Sequence, residues 1–176
     1  MPDKRGIYLD SCCFIDMVKE NVGQALETDR VKDVWYLKQL TQACRDGEIE
    51  TFTSVLTIAE CTHAGDDISQ GVKDRFNDLL MSGQYVRLIQ PTPFIAMDAR
   101  DLRWKHSVSV GGADGLHIAS ALDLKCEEFV TTDTRMKKAS AMAVLSALGM
   151  RMIRPSETHC LPAKYLQEDL LKGMDS

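Results

Sequence analysis

The chain alternates between short runs of apolar residues and longer stretches in which apolar residues recur every three or four positions. Short runs are typical of buried strands, and the longer stretches are typical of helices with one buried face. Glycine, proline, serine and aspartate separate most of them, as expected where elements begin and end. Five strands are predicted in this way, at 6–10, 49–53, 85–89, 127–131 and 150–154.

Helices are predicted between these strands. They cover 11–20, a segment from 28 or 29 to 46, 54–60, a segment that ends near 82, one from about 95 to 111, 114–124, and 133–148. Strands that alternate with helices indicate a parallel sheet covered on both faces. The expected fold class is therefore α/β, with three layers (α/β/α) and a central, mostly parallel sheet of about five strands.

The length of the chain favours a single domain. With 176 residues, 44% of them hydrophobic, the chain can bury one core of good size but is short for two. We expect the domain to span 1–155. The tail, 156–176, lies outside the alternation and is expected to be partly helical; it packs on the domain, covers a partner site or frays. It carries three leucines, Leu166, Leu170 and Leu171.

Charge and cysteine content narrow the class of protein. The net charge of -5 argues against a protein that coats nucleic acid by bulk charge, but a local basic patch or a bound cation can reverse the field at one site. The six cysteines lack the paired spacing of a zinc site or a disulfide framework. Neither a signal region nor a membrane-spanning apolar run is evident, so we expect a cytoplasmic protein without a membrane partner.

Four acidic residues lie where a predicted strand or loop meets a helix: Asp10, Glu60, Asp114 and Asp133. Parallel sheets place their ligands outside the carboxyl ends of the strands. Carboxylate oxygens are the preferred ligands of hard cations such as Mg²⁺ and Mn²⁺. The four acids are therefore predicted to form a metal site, and the alternative is that they cap helices or lie on the surface.

A cation held by these acids would suit hydrolysis of a phosphodiester bond. It can polarise a phosphoryl oxygen, lower the pKa of water and stabilise the leaving oxygen. Two hydroxyl residues flank the acids, Ser11 directly after Asp10 and Thr131 two residues before Asp133. Each is suited to orienting an acid or a water molecule, and each equally suits a cap or a turn.

Four short motifs together resemble a known family. They are Leu9–Ser11, Thr57–Glu60, Ala113–Ala119 and Thr131–Asp133. Their order and the order of predicted elements, from about 6 to 154, resemble the PIN domain, and within it the VapC-like toxin ribonucleases. The resemblance implies an endoribonuclease that uses Mg²⁺ or Mn²⁺ to cut RNA, a homodimer, and a protein antitoxin as partner.

The resemblance also assigns roles to residues. It implies that Asp10, Glu60, Asp114 and Asp133 are the catalytic and metal-binding acids, with Ser11 and Thr131 in support. Many relatives carry a further acid two residues after the last aspartate, where this chain has Arg135. Gly115 stands where a better helix former is common, and close approach of another backbone is the only explanation that the sequence offers.

Several cationic residues are candidates for contact with substrate. Arg135, Lys137 and Lys138 closely follow Asp133 and could hold a phosphate, although a basic run is also typical of a solvated surface. His117 lies one helical turn after Asp114, where it could contact substrate or donate to a carboxylate; the alternative is a packed helix residue with satisfied nitrogens.

One predicted helix combines positive charge with an aromatic residue. Such a surface could contact the nucleic-acid backbone and stack on a base. Interleaved acids make an ordinary solvated helix face an equal alternative. The residues concerned are Arg100, Arg103, Trp104, Lys105 and His106, with Asp98 and Asp101 between them.

Two other functions remain open. Asp10 ends the first predicted strand, where the nucleophile of an aspartyl-phosphate phosphatase would lie, although such enzymes have Asp-x-Asp and position 12 is cysteine here. A catalytically silent PIN-like domain that only binds other proteins is the non-enzymatic alternative. Retention of all four acids favours the nuclease.

Overall fold

The computed structural model describes residues 6–167. Within them, five strands form one parallel sheet in the order β3-β2-β1-β4-β5. This confirms the predicted α/β fold with a central parallel sheet of five strands. The strands are β1 (Gly6–Leu9), β2 (Glu50–Ser54), β3 (Arg87–Ile89), β4 (Glu128–Val130) and β5 (Arg151–Ile153).

Seven α-helices occur in the same range. They are α1 (Ser11–Asn21), α2 (Thr28–Arg45), α3 (Leu56–Glu60), α4 (Gln70–Met81), α5 (Pro93–His106), α6 (Gly112–Asp123) and α7 (Ala139–Ala147). Two 3₁₀ turns, Pro155–Glu157 and Ala163–Tyr165, follow β5.

The central strand β1 shows how the layers are arranged. Ile7 and Leu9 belong to a hydrophobic core shared with α1, α2 and α4. Tyr8, between them, belongs to a second core shared with α5, α6 and α7. Alternate side chains of a strand point to opposite faces of the sheet, so the two cores lie on its two sides.

Helix α5 is shorter than the sequence predicts. The Thr92 side chain caps its start by accepting from the Ile95 N–H at 3.3 Å, and Pro93 occupies the first turn, as helix starts favour. The helix ends at His106 because Ser107 adopts a left-handed conformation with φ 56°. The predicted continuation to 111 is therefore wrong.

Helix α7 begins six residues later than predicted. The Asp133 carboxylate accepts a hydrogen bond from the Arg135 N–H at 2.8 Å, and its carbonyl accepts from the Met136 N–H at 3.3 Å. An aspartate bonded to its own neighbouring backbone favours a turn over a helix. Asp133 therefore lies in a turn, and α7 starts at Ala139.

Two buried acids hold the chain after β5 against the domain. Glu128 accepts from the Thr158 hydroxyl at 2.5 Å and from the His159 N–H at 2.9 Å. Asp33 on α2 accepts from the Ser156 N–H at 3.1 Å. These bonds explain why the first part of the tail packs on the domain.

In the described part of the tail, a 3₁₀ turn spans Ala163–Tyr165, and most of the segment that was predicted to be helical lies outside the described residues. Leu166 packs partly buried against the first core. Leu170 and Leu171 lie outside the described residues. The division of the chain at 155 remains a prediction.

Candidate metal centre

The fold brings the four predicted acids to the carboxyl edge of the sheet. Asp10 directly follows β1, and Asp133 lies three residues after β4. Glu60 ends α3, the short helix that follows β2, and Asp114 lies in the first turn of α6. Because β2, β1 and β4 are neighbours in the sheet, their carboxyl ends lie side by side.

Asp10 is buried and firmly held. One carboxylate oxygen accepts from the Ser11 N–H at 2.8 Å, and the other accepts from the Thr131 hydroxyl at 2.7 Å. Ser11 thus contributes its backbone, while its hydroxyl makes no hydrogen bond within 6–167. Only 4% of the Asp10 surface is exposed, so these bonds fix the carboxylate in one orientation.

The Thr131 hydroxyl links two of the acids. It donates to Asp10 and accepts from the Asp133 N–H at 3.1 Å. The residue is fully buried. A hydroxyl that has both its donor and its acceptor capacity in use sets the position of the turn at Asp133 relative to the carboxylate of Asp10.

Asp114 shows that the acids are close enough to repel one another. Its pKa is raised, first by partial burial and then by the negative charges of Asp10 and Asp133. His117 and Arg135 oppose the increase. Neighbouring carboxylates that raise an acid's pKa create the repulsion that a bound cation relieves.

Arg135 pairs with Asp133 through two parallel contacts. Its Nε lies 3.0 Å from Oδ1, and its terminal Nη2 lies 2.6 Å from Oδ2. Hydrogen bonding from the Arg135 side chain is the largest cause that lowers the pKa of Asp133. The Arg135 side chain is 89% exposed, so this partner of Asp133 lies in solvent.

Glu60 is held from the interior by a histidine. His117 Nε2 lies 2.9 Å from a Glu60 carboxylate oxygen, and His117 Nδ1 lies 2.8 Å from the Tyr8 hydroxyl. The Glu60 carboxylate only accepts, so Nε2 carries the proton. In the neutral ring Nδ1 then accepts from the Tyr8 hydroxyl, which stays protonated because burial raises the pKa of Tyr8.

The position of His117 determines which of its two predicted roles the structure supports. The residue is fully buried, and both ring nitrogens have partners. A substrate phosphate therefore meets no exposed atom of this ring. The structure places His117 behind Glu60, as a packed helix residue that donates to a carboxylate.

The two lysines after Asp133 differ in their surroundings. Lys137 Nζ lies 2.8 Å from a carboxylate oxygen of Glu157, and its side chain is largely buried. Lys138 is exposed at the N-cap of α7, without an ion pair in the described part of the chain. Of the two, Lys138 is the one that solvent or a ligand can reach.

Two residues that the sequence analysis did not assign to the site support it from behind. Cys12 Sγ lies 3.1 Å from the Asp10 carboxylate and 3.3 Å from the Thr132 N–H. Asp16, which is buried, accepts from the Thr132 hydroxyl at 2.7 Å and from Arg30 at 3.0 Å. An acid in the apolar stretch of α1 was the available signal for Asp16.

The acids fit a hard cation in their chemistry. Among residues 6–167, no three His, Cys, Asp or Glu side chains are placed to hold one ion together, while Asp133 and Glu60 are engaged by Arg135 and His117. The donors are nevertheless all carboxylate oxygens, as Mg²⁺ and Mn²⁺ prefer. The raised pKa of Asp114 supports the same conclusion, and the ligand set stays a prediction.

Comparison with known proteins gives the family. The model of the PIN domain matches residues 7–142, a range that includes all four acids. The chain belongs to the PIN domain family. No curated protein matches the chain significantly. Within 6–167, this PIN domain has no helix that is both long and apolar enough to cross a membrane.

Solved structures share the fold at low sequence identity. VapBC2 from Rickettsia felis, bound to a DNA fragment from its promoter, is 12% identical with a TM-score of 0.53, over 85% of this chain and 98% of that one. FitAB bound to an IR36 DNA fragment is 15% identical, with a TM-score of 0.54, over 87% and 97%. FitAcB from Neisseria gonorrhoeae is 18% identical, with a TM-score of 0.50, over 86% and 99%.

Proposed function

We propose that this PIN domain is an endoribonuclease that hydrolyses phosphodiester bonds in RNA with Mg²⁺ or Mn²⁺. PIN domains are generally nucleases. The observation that carries the proposal is the grouping of three carboxylates at one edge of the sheet, where Asp10 and Asp133 raise the pKa of Asp114. A cation-binding site explains why the fold tolerates this repulsion.

Three of the four acids have distinct contributions under this proposal. A bound Mg²⁺ or Mn²⁺ supplies a Lewis acid for the phosphoryl group. Asp10 offers a carboxylate whose orientation is fixed by Thr131 and the Ser11 N–H, and Asp114 adds a partly exposed one. Glu60 is oriented by His117, which engages one of its oxygens and leaves the other for a ligand.

Turnover of RNA tests the proposal. The purified protein should cut RNA when Mn²⁺ or Mg²⁺ is added, and a chelator should stop it. Asp10→Asn and Asp114→Asn should each slow cleavage more than about 100-fold, since loss of a ligand should exceed the cost of losing an outer partner. Asp123→Asn, the same change at the exposed far end of α6, should cut at the parent rate.

The same assay also defines the results that would contradict the proposal. If Asp10→Asn and Asp114→Asn both cut as fast as the parent protein, the assignment of the acids is wrong. A DNA strand of the same sequence, tested in parallel, distinguishes a ribonuclease from a nuclease that accepts either polymer. The choice of RNA would be wrong if only the DNA strand were cut.

We further propose that the nuclease is the toxin of a toxin–antitoxin pair. The similar VapBC and FitAB structures are toxin–antitoxin complexes, which supports a protein antitoxin as partner. An antitoxin encoded beside this gene should form a stable complex with the chain and suppress RNA cleavage. Light scattering on the isolated chain tests the predicted homodimer separately.

A protein-binding module without catalysis is the second candidate. The engagement of Asp133 by Arg135 and of Glu60 by His117 favours it, because both acids already have partners. A native-state ligand raises the melting temperature. If neither Mn²⁺ nor Mg²⁺ raises the melting temperature, and calorimetry shows no heat of binding, a protein-binding module without catalysis is the better description of the protein.

The phosphatase alternative has less support from the geometry. Asp10 would be the nucleophile, yet it is buried and both of its oxygens accept hydrogen bonds. Such a carboxylate is suited to fixed coordination rather than to attack on a phosphoryl group. A phosphate mimic that traps a modified Asp10 would reverse this judgement.

A further inference from the structure

A groove of about 390 Å³ lies between α5 and the start of α6. Two small residues of α5, Ala96 and Ala99, and the glycines at the start of α6 keep it open. On its α5 side the groove is bounded by three large residues, Arg100, Arg103 and Trp104. None of these residues belongs to the candidate metal centre.

The side chains of this wall combine a flat aromatic surface with positive charge. Trp104 is 70% exposed, and the Arg100 guanidinium lies 4.4 Å from the centre of its ring. Arg103 has no ion-pair partner anywhere in residues 6–167. The Arg100 guanidinium therefore packs against the indole ring, and the Arg103 side chain is exposed to solvent nearby.

The acids of α5 line a different groove. Asp98 and Asp101 lie there together with Lys105 and His106, and Asp101 pairs with Lys105 at 2.7 Å and more loosely with Arg100 at 3.4 Å. The described lining of the groove beside Trp104 includes no acid. Helix α5 thus presents a cationic, aromatic face on one side, although the chain as a whole carries a net charge of -5.

The groove reaches the candidate metal centre. Gly111 lines it, and a Cβ atom placed on Gly111 would lie 3.6 Å from a carboxylate oxygen of Asp114. Gly112, also in the lining, has no atom within 4 Å of such a Cβ. The end of the groove formed by Gly111 therefore lies beside the Asp114 carboxylate.

We propose that this groove binds an unpaired stretch of the nucleic-acid substrate next to the bond that is cut. Trp104 stacks on a base, and Arg103 contacts a phosphate. Aromatic residues in a cationic groove are the usual means of holding single strands without reading sequence. This inference rests on the proposed function, since it names the substrate as single-stranded.

Binding of an unpaired oligonucleotide tests the stacking role. A fluorescently labelled RNA oligonucleotide is titrated with the protein in the presence of a chelator, so that cleavage does not consume the probe. Trp104→Ala should raise Kd by about 5- to 150-fold, the usual loss for one stacked base, and Trp104→Phe should retain most of the affinity. A fully paired duplex should bind equally to parent and Trp104→Ala.

Quenching of tryptophan fluorescence by the bound oligonucleotide is a signal that a purely structural role of Trp104 would not produce. The chain has two tryptophans, Trp35 on α2 and Trp104. In a Trp35→Phe protein, all tryptophan emission comes from Trp104, and it should fall as the oligonucleotide saturates. Emission that is unchanged at saturation would overturn the stacking.

Salt dependence tests the phosphate contact with a matched control. Arg103→Gln and Lys105→Gln each remove one positive charge from α5, but only Arg103 lines the groove beside Trp104. Each phosphate contact to a single strand contributes about -0.7 to the slope of log K against log salt. Arg103→Gln should reduce the slope by about that amount, and Lys105→Gln should leave it unchanged; equal slopes for the two variants would overturn the contact.

The outcomes for this groove and for the nuclease are separable. If the parent protein fails to cut RNA yet binds it through Trp104, the proposed function fails and the groove stands. If the Trp104→Ala protein cuts RNA with an unchanged KM, the groove fails and the nuclease stands. Unchanged RNA affinity together with a change in oligomeric state would instead make this face an interface between copies of the chain.

Discussion

Glu60 and Asp133 lie at the same edge of the sheet but are held in opposite ways. Glu60 is oriented from the interior by the buried His117, whose Nδ1 is hydrogen-bonded to the Tyr8 hydroxyl. Asp133 is held from the solvent side, by the exposed side chain of Arg135. Two acids that are predicted to belong to the same metal site therefore have partners that should contribute very differently to stability.

The difference follows from burial. A buried polar group that loses its partner remains without water, so breaking its bond costs the full penalty of desolvation. An exposed ion pair exchanges its partner for water and contributes little to stability. Stability measurements should therefore respond strongly to the interior arrangement around Glu60, whereas the Arg135 contact should appear mainly in the ionisation of Asp133.

Removal of the interior partner should have the largest effect. His117→Ala removes one partner of the Tyr8 hydroxyl and the partner of Glu60, and it creates a cavity in the second core, so we expect a loss of about 2–5 kcal/mol in the free energy of unfolding. Urea denaturation measures it. Arg135→Ala is the matched control for the solvent side and should lower the denaturation midpoint only slightly; equal losses for the two variants would contradict the comparison.

Tyr8→Phe should destabilise the protein less. The change keeps the ring that stacks on Phe129 at a centroid distance of 5.4 Å, and it removes only the hydroxyl bonded to His117. The expected loss is about 1–3 kcal/mol, because Nδ1 of the buried histidine stays without a donor. Tyr36→Phe, a partly buried tyrosine in the other core, should cost much less; the reverse order would mean that the Tyr8 bond adds nothing.

Asp114 should weaken the fold as it ionises. Its folded-state pKa is raised by burial and by Asp10 and Asp133. The native state therefore binds its proton more tightly than the unfolded chain, and stability falls as pH rises from roughly 4, the ordinary aspartate value, through the folded pKa. Asp114→Asn should be more stable than the parent at pH 7 in a chelator, and the gain should disappear at low pH. Melting temperatures across pH measure this, and a gain independent of pH would contradict it.

The sequence predicted the sheet well, because strands and helices depend on local pattern. Strand runs and helix spacing follow from burial, and acids after parallel strands meet at one edge. The helix ends that depend on a single residue were not predicted correctly. The left-handed Ser107 ended α5 early, and the local bonds of Asp133 delayed α7.

The partners of the acids could not be predicted for a different reason. Tyr8 and His117 are 109 residues apart, and their contact exists only because α6 packs over β1. Spacing along the chain carries no information about such a pair. Gly115 is similar: a Cβ there would lie 3.7 Å from that of Ala99, so the close approach suggested by the sequence is ordinary packing between α5 and α6.

Loss of Arg135 should produce the smallest effect and the most local one. Arg135→Gln removes the hydrogen bonds that lower the pKa of Asp133, so that pKa should rise toward its ordinary value. In the parent, a depressed folded pKa contributes stability above roughly pH 4 and loses it as pH falls through the folded value. The variant should lack this small contribution at neutral pH and match the parent in strong acid.

An NMR titration of the Asp133 carboxyl carbon measures this change directly. Arg87→Gln removes a similarly exposed arginine, paired with Glu50 at 2.8 Å, and should not move the Asp133 titration. If the titration of Asp133 is identical in the parent and in Arg135→Gln, the paired geometry is not populated in solution. The carboxylate would then be available to a cation without displacement of an arginine, and Mn²⁺ affinity should be equal in the two proteins. If the pair is populated, Arg135 competes with the ion for Asp133, and Arg135→Gln should bind Mn²⁺ more tightly than the parent.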